Sequence, residues 1–258
     1  MRVAAAHRDA LVVTSRLWQT NAVALRAGSE ALLVDSPYFP DELEALPDVL
    51  ASSGFTPDGL VATHGDYDHL LGRLAFPGLA LGVGEPTAVR FHAEPGAAQR
   101  DLRDEDARLY VARPAPLALG SVQALPVPGK LELSDEEVEL HAAEGHTADG
   151  MALMARWCGL LICGDYLSDV EIPMISSGGS LADYRATLAR FAPLIEAAST
   201  VVPGHGAMLS RDTALKLLDE DVDYLDALEA GSEGPALPAG RDTVEQRRIH
   251  AENLDMSH

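Results

Sequence analysis

The sequence predicts an α/β protein, and three observations carry that prediction. Short apolar runs of strand length alternate with longer segments of helical spacing along most of the chain. Four of the apolar runs end in a loop that carries a His or an Asp, as strands do when their ends gather side chains at one edge of a sheet. The length of 258 residues suits a single α/β domain, which reaches this size without splitting. With 47% hydrophobic but only 5% aromatic residues, its core has to be built mainly from Ala, Leu and Val.

Leu11-Val12-Val13, Asn21 to Leu25 and Ala31 to Asp35 read as strands, the last two joined across Gly28-Ser29 in a meander. Asp41 to Ser53 has Leu43, Leu46, Val49 and Leu50 at helical spacing and stops at Gly54, and Pro47 inside it predicts a kink or a helix in two pieces. Gly59 to Ala62 and Leu79 to Val83 follow as strands, and Gly84 to Ala88 reads as a turn that opens a helix. Residues 97–112 are helical in character, with a charge run of the kind a solvated face carries. Beyond Pro114 to Pro116, strands are expected at Val122 to Pro126, Val138 to Ala142, Met151 to Arg156 and Gly159 to Cys163. Leu181 to Ala198 reads as a helix through Leu188, Phe191 and Ile195; Val201-Val202 is a strand and Asp212 to Leu228 a further helix. Gly231 to Gly240 has the composition of a linker, and the polar segment after it is either a docked helix or a loose tail.

The chemistry concentrates in residues 61–70, where His64, Asp66, Asp68 and His69 put four metal-ligating side chains just after an apolar strand. So many ionisable groups in one turn repel one another and resist burial, and a cation resolves both problems by pairing the carboxylates and taking the imidazole lone pairs. Three later segments repeat the pattern singly: Glu144-Gly145-His146-Thr147, Ile162-Cys163-Gly164-Asp165 and Pro203-Gly204-His205-Gly206. Their glycines let the backbone turn sharply and approach a metal closely.

Taken in order, these segments resemble the motifs of the metallo-β-lactamase-fold superfamily: His-x-His-x-Asp-His, then Gly-His-Thr, Gly-Asp and Gly-His, over about residues 10–210. The resemblance implies a four-layer αβ/βα sandwich over residues 1–230, with metals at the shared edge of two sheets, and a C-terminal linker and tail or docked helix over 231–258. It implies that His64 and His146 bind a first metal, that Asp68, His69 and His205 bind a second, and that Asp165 bridges them. Asp35 falls where the family has an anchor beneath the metal loop. Two positions depart from the pattern: Asp66 stands in place of the second His, and Glu144 stands where many members have Pro.

The implied activity is that of a metal-dependent hydrolase, in which two divalent ions (zinc first, with iron or manganese as alternatives) present hydroxide to a small ester, thioester, lactone or phosphoester. Asp68 is the candidate catalytic residue, orienting the hydroxide or carrying its proton to the leaving group. No Gly-x-Ser-x-Gly elbow competes with this reading. Asp66 adds a negative charge to the centre, so its water is acidified less and its preference moves from zinc toward iron or manganese. A di-iron redox enzyme, a mononuclear iron enzyme held by His64, His146 and Asp165, and a non-catalytic metal-binding module therefore stay open. Tyr166, beside Asp165, is a candidate oxyanion donor; Tyr67 is expected to pack.

A net charge of −21 argues against nucleic-acid partners, since phosphate contacts need Lys and Arg, and Lys130 and Lys216 are the only lysines. No apolar run approaches the length of a membrane span, and Met1 to Asp9 is charged rather than signal-like, which places the chain in the cytoplasm with a small-molecule substrate and an unspecified oligomeric state. Cys158 and Cys163 are expected as buried thiols, and His7, His92, His141, His250 and His258 as non-ligands.

Overall fold

The computed structural model describes residues 1–231 and 236–256. Its first sheet begins as a meander, β1 (Arg2–His7), β2 (Ala10–Thr14), β3 (Asn21–Ala27) and β4 (Glu30–Val34), all antiparallel. It then turns parallel through β5 (Gly59–Ala62), β6 (Ala80–Gly84) and β7 (Val122–Leu125). Each parallel step needs a crossover. The crossovers carry α1 (Pro40–Ser52), the short α2 (Gly72–Ala75), α3 (Glu85–Ala93) and α4 (Ala97–Arg108). The register lines up Leu33, Leu60, Leu81 and Val122 as one row across the four strands.

The second sheet has six strands in the order β13-β12-β11-β10-β9-β8. These are β8 (Gly129–Leu133), β9 (Glu136–Ala142), β10 (Met151–Ala155), β11 (Leu160–Ile162), β12 (Thr200–Val202) and β13 (Leu209–Ser210). Only β11 and β12 run parallel, across α5 (Leu181–Ala197); α6 (Arg211–Glu229) and α7 (Val244–Met256) complete that side. Ser180 and Ser210 cap α5 and α6, accepting from the N–H of Asp183 and Thr213.

Side chains alternate across a strand, so each sheet has two apolar faces to cover. Val12, Val23, Leu25 and Val34 of the first sheet meet Leu140, Leu153, Leu160 and Ile162 of the second. Leu11, Val13, Leu33 and Leu60 pack outward against Leu43, Leu46 and Leu50 of α1 and Leu102 of α4. Met154, Leu161 and Val201 pack outward against Leu188 and Phe191 of α5, Leu225 of α6 and Ile249 of α7. Three apolar layers thus separate helices, sheet, sheet and helices, which is the four-layer αβ/βα sandwich.

Differences from the sequence reading have local causes. α1 runs as one helix through Pro47 rather than in two pieces. β1 is an edge strand whose first four residues are exposed, and β8 alternates exposed Lys130 and Glu132 with partly or fully buried Leu131 and Leu133, so neither has the apolar run that marks the other strands. The helical segment at 97–112 ends at Arg108. The C-terminal segment is a docked helix: Gln246 accepts from the Ile172 N–H, and Asn253 bonds the Ile175 N–H and the Pro173 carbonyl. Part of the expected linker, residues 232–235, and His258 lie outside the described residues.

Candidate metal centre

Four loops at strand C-termini build the site. β5 ends at Ala62, and Asp35 grips the next residue twice, accepting from the Thr63 N–H at 2.8 Å and its hydroxyl at 2.9 Å. That fixes His64 at the sheet edge. Asp66 follows, and one 3₁₀ turn, Tyr67–His69, then presents Asp68 and His69. His146 follows β9, Asp165 follows β11 and His205 follows β12. The Asp165 and His205 loops are stitched together by Gly204 N–H to the Gly164 carbonyl at 2.6 Å, and Asn21 bonds the Pro203 and Gly206 carbonyls from β3. Only glycine fits at 204, because a Cβ there would lie 2.1 Å from Asp165 Oδ1. Gly145 has a φ of +127°, and a Cβ would meet the Tyr184 backbone at 2.2 Å.

All seven residues singled out from the sequence converge. His64, Asp66 and His146 form one group able to hold a metal ion, Asp68, His69 and His205 a second, and Asp165 joins His64 and His69 in a third. In the first group Asp66 Oδ2 lies 3.6 Å from His64 Nε2 and 3.5 Å from His146 Nε2. In the second Asp68 Oδ2 lies 3.6 Å from His69 Nε2 and 3.4 Å from His205 Nε2. Asp165 stands between, with Oδ2 3.3 Å from both His146 and His205 and Oδ1 3.1 Å from His69. Ligand atoms about 2.0–2.1 Å from one tetrahedral ion stand about 3.4 Å apart, so these separations suit a shared cation.

The outer nitrogens say which way the lone pairs point. His146 Nδ1 meets the Met174 carbonyl at 2.8 Å, an acceptor only, so Nδ1 carries the proton. Thr63 and Thr20 spend their hydroxyl protons on Asp35 and the Leu17 carbonyl, so they accept from His64 Nδ1 (3.1 Å) and His205 Nδ1 (3.3 Å). His69 Nδ1 faces Asp35 Oδ2 at 3.0 Å, although off the ideal N–H direction. All four imidazoles therefore turn an Nε2 lone pair inward, and Nε2 of His64, His69 and His146 is buried without a hydrogen-bond partner, as is Asp165 Oδ1. Buried orphan acceptors at one point fit a metal ion.

The proton balance points the same way. Burial lowers the His146 and His205 pKa values, but nearby carboxylates more than reverse this. Asp66 and Asp165 push His146 up to about 9; Glu171, Asp165 and Asp68 push His205 up to about 10. Burial opposes ionisation of Asp66 and Asp165 as well, yet the surrounding imidazoles hold both carboxyls well below their ordinary range. A cation and protons compete here for the same lone pairs.

Other residues fall into place. The Tyr166 hydroxyl donates to the Ala143 carbonyl at 3.0 Å and accepts from the His146 N–H at 2.9 Å, so it supports the His146 loop rather than facing substrate. Glu144 pairs with Arg190, and partly buried Tyr67 packs against the helix-covered face of the first sheet. Cys158 and Cys163 are free and buried. His7, His92, His141 and His250 bond to Asp9, Ala88, Glu139 and Tyr224. Sequence reasoning missed two features. Arg90 lies 2.9 Å from Asp66 Oδ1 and pairs with buried Asp149, so a charge count over the three aspartates alone is incomplete. Helix α7 contributes Glu245, Arg248 and Ile249 to the lining of the cavity of about 170 Å³ at the site, which Trp18 and Tyr67 also line. Larger hollows beside Pro47 and Phe91 lack the convergent His and Asp groups.

Such a sandwich with this edge site defines a metal-site fold class, and sequence comparison assigns it. A family model of the metallo-beta-lactamase superfamily matches residues 15–225, and the chain belongs to that superfamily. Among solved structures, a metallo-beta-lactamase family protein from Thermus thermophilus is 22% identical with a TM-score of 0.66, the match covering 90% of this chain and 85% of that one. A metallo-beta-lactamase from Pontibacter korlensis is 17% identical with a TM-score of 0.60, covering 84% and 98%. TTHA1623 in a di-iron-bound form is 20% identical with a TM-score of 0.61, covering 80% and 97%. At these identities the likeness is one of fold. The comparison with curated proteins returned no match.

Proposed function

We propose that the chain is a metal-dependent hydrolase of a small ester, thioester, lactone or phosphoester, working with two divalent ions, zinc first. The observation that carries this reading is the pair of three-residue cradles on either side of Asp165, which with Asp66, Asp68, His146 and His205 lines a cavity. Two such ions, when bound, supply water acidified toward neutrality and a Lewis acid for the scissile carbonyl or phosphoryl oxygen. His64, Asp66 and His146 would hold the first ion and Asp68, His69 and His205 the second, with Asp165 placed between the two groups. Asp68 orients the attacking water and carries its proton to the leaving group. Trp18, Met174 and Ile249 give the cavity apolar walls that shape the substrate and keep bulk water out. The partner is a small molecule: a net charge of −21 disfavours nucleic acid, and no described helix is long and apolar enough to cross a membrane.

A second reading, a di-iron redox enzyme, is favoured by one observation. With Asp66 in place, each cradle offers two imidazoles and its own carboxylate, a harder donor set than imidazole alone provides. One experiment separates the two: metal content and visible spectrum of native-host protein, followed by turnover of p-nitrophenyl ester, thioester, lactone and phosphodiester probes. Hydrolysis abolished by a chelator and restored by Zn²⁺ supports the hydrolase. Iron with visible absorbance and no hydrolysis of any probe overturns it in favour of redox chemistry.

A further inference from the structure

The two cradles match in donor type but not in support. Asp68 has no Arg or Lys ion pair among the described residues; its Oδ2 faces only His69 and His205. Asp66 divides its two oxygens. Oδ2 faces His64 and His146, while Oδ1 lies 2.9 Å from Arg90 Nη2. Arg90 stands on α3, and its other arm, Nη1, donates to Asp149 Oδ1 at 2.9 Å. Asp149 is 3% exposed and is itself fixed: Oδ2 accepts from the Gly65 N–H at 3.0 Å, and its carbonyl accepts from the Thr87 hydroxyl at 2.9 Å. The Gly65 amide belongs to the turn that carries Asp66. The guanidinium fork and Asp149 therefore hold the Asp66 carboxylate from outside and its backbone from behind.

We propose that Arg90, seated on Asp149, is a positioning residue of the first cradle, which engages Asp66 Oδ1 so that the carboxylate presents Oδ2 alone to the first cation. Asp66 needs such a brace. Its side chain is 23% exposed, against 10% for Asp68, so an unbraced carboxylate turns toward water. A planar fork that reaches two carboxylates at once is something Arg provides and Lys does not. Through this brace the Asp that replaces a family imidazole acts as a one-oxygen ligand, as an imidazole nitrogen would.

The inference rests on the two-cradle reading, and its test reads metal binding, so an inactive but metal-binding protein would end the hydrolase proposal and leave this one standing. Metal-stripped protein is titrated with Zn²⁺ against a chromophoric chelator, with Asp66→Ala marking the step that belongs to the first cradle. The key variant pairs Arg90→Gln with Asp149→Asn, which removes one cation and one anion together and leaves net charge unchanged, while Asn still accepts from Gly65. The first step should weaken by about 10–100-fold, as loss of an outer partner does, with the second unchanged. Repeated in an Asp66→His background, the same pair should change neither step, since an imidazole does not need the fork. Arg90→Lys, which keeps the charge beside Asp149, guards against a folding failure and should show the same selective weakening to a smaller degree. Equal weakening of both steps, or weakening that persists in the Asp66→His background, would overturn the proposal and leave Arg90 a part of the fold alone.

Discussion

Asp35 Oδ2 lies 3.0 Å from His69 Nδ1 while the same carboxylate holds Thr63 by its N–H and hydroxyl, so one residue below the site orients both halves of the His64–His69 turn. Its backbone stands in the left-handed region, with a φ of 57°. Asn tolerates that conformation, which makes Asp35→Asn a clean removal of charge. The amide cannot accept on both sides, so either His69 or Thr63 loses its partner. Cation affinity should fall by about 10–100-fold, read by chelator competition, while the far-ultraviolet spectrum stays unchanged. Undiminished affinity would show that neither contact orients a ligand.

Tyr166 supports His146 through the backbone, and Tyr166→Phe removes that support while keeping the ring. The His146 N–H and the Ala143 carbonyl then lose a buried partner, at a cost of about 1–3 kcal/mol in unfolding free energy. At saturating metal the turnover number should change little, because the hydroxyl does not face the cavity. A large fall in kcat with unchanged stability would instead assign the hydroxyl to substrate.

How much of this was legible in the sequence follows from where its signals lie. The convergent residues could be read because each lies in a short loop that follows an apolar strand, and the glycines in those loops leave few other reasons for the pattern. Helices α5 and α6 could be read from Leu188, Phe191 and Ile195, and from the Asp212 to Leu228 spacing. Arg90 and Asp149 could not. Each is a single charged residue far from Asp66 in the chain, and only the crossover between β6 and β7 brings α3 over the turn. The role of Tyr166 was hidden for a similar reason, since a phenol bonded to backbone leaves no side-chain partner to find. The docking of α7 depends on Gln246 and Asn253 reaching main-chain groups at Ile172, Pro173 and Ile175, and polar side chains of that kind read as solvated surface.

Arg241 ties the C-terminal segment to the Asp165 loop. It is 1% exposed, meets Asp221 Oδ1 at 2.5 Å and donates to the Glu171 carbonyl at 3.1 Å. Arg241→Met leaves Asp221 buried without its partner, which should cost about 3–5 kcal/mol in urea unfolding and expose α7 to proteolysis. Adding Asp221→Leu removes the stranded charge, and the double variant should recover most of the loss. If the double variant is no more stable than the single, the pair is not what holds the segment.

Protonation supplies the last prediction. His146 and His205 are raised to about 9 and 10 by the carboxylates around them, and His69 is raised as well against its burial. A group whose folded pKa exceeds its unfolded value adds stability below the unfolded pKa and loses it as pH rises through the folded one. Metal-stripped protein should therefore lose stability steadily from about pH 6.5 toward pH 10. Divalent cations need the same nitrogens unprotonated, so their affinity should climb across that window, and each cation bound at pH 7 should release at least one proton. Titration calorimetry in two buffers of different ionisation enthalpy measures that release directly. Cation uptake with no proton release at pH 7 would mean that the imidazoles are already neutral, and that the carboxylates do not set the proton balance of the site.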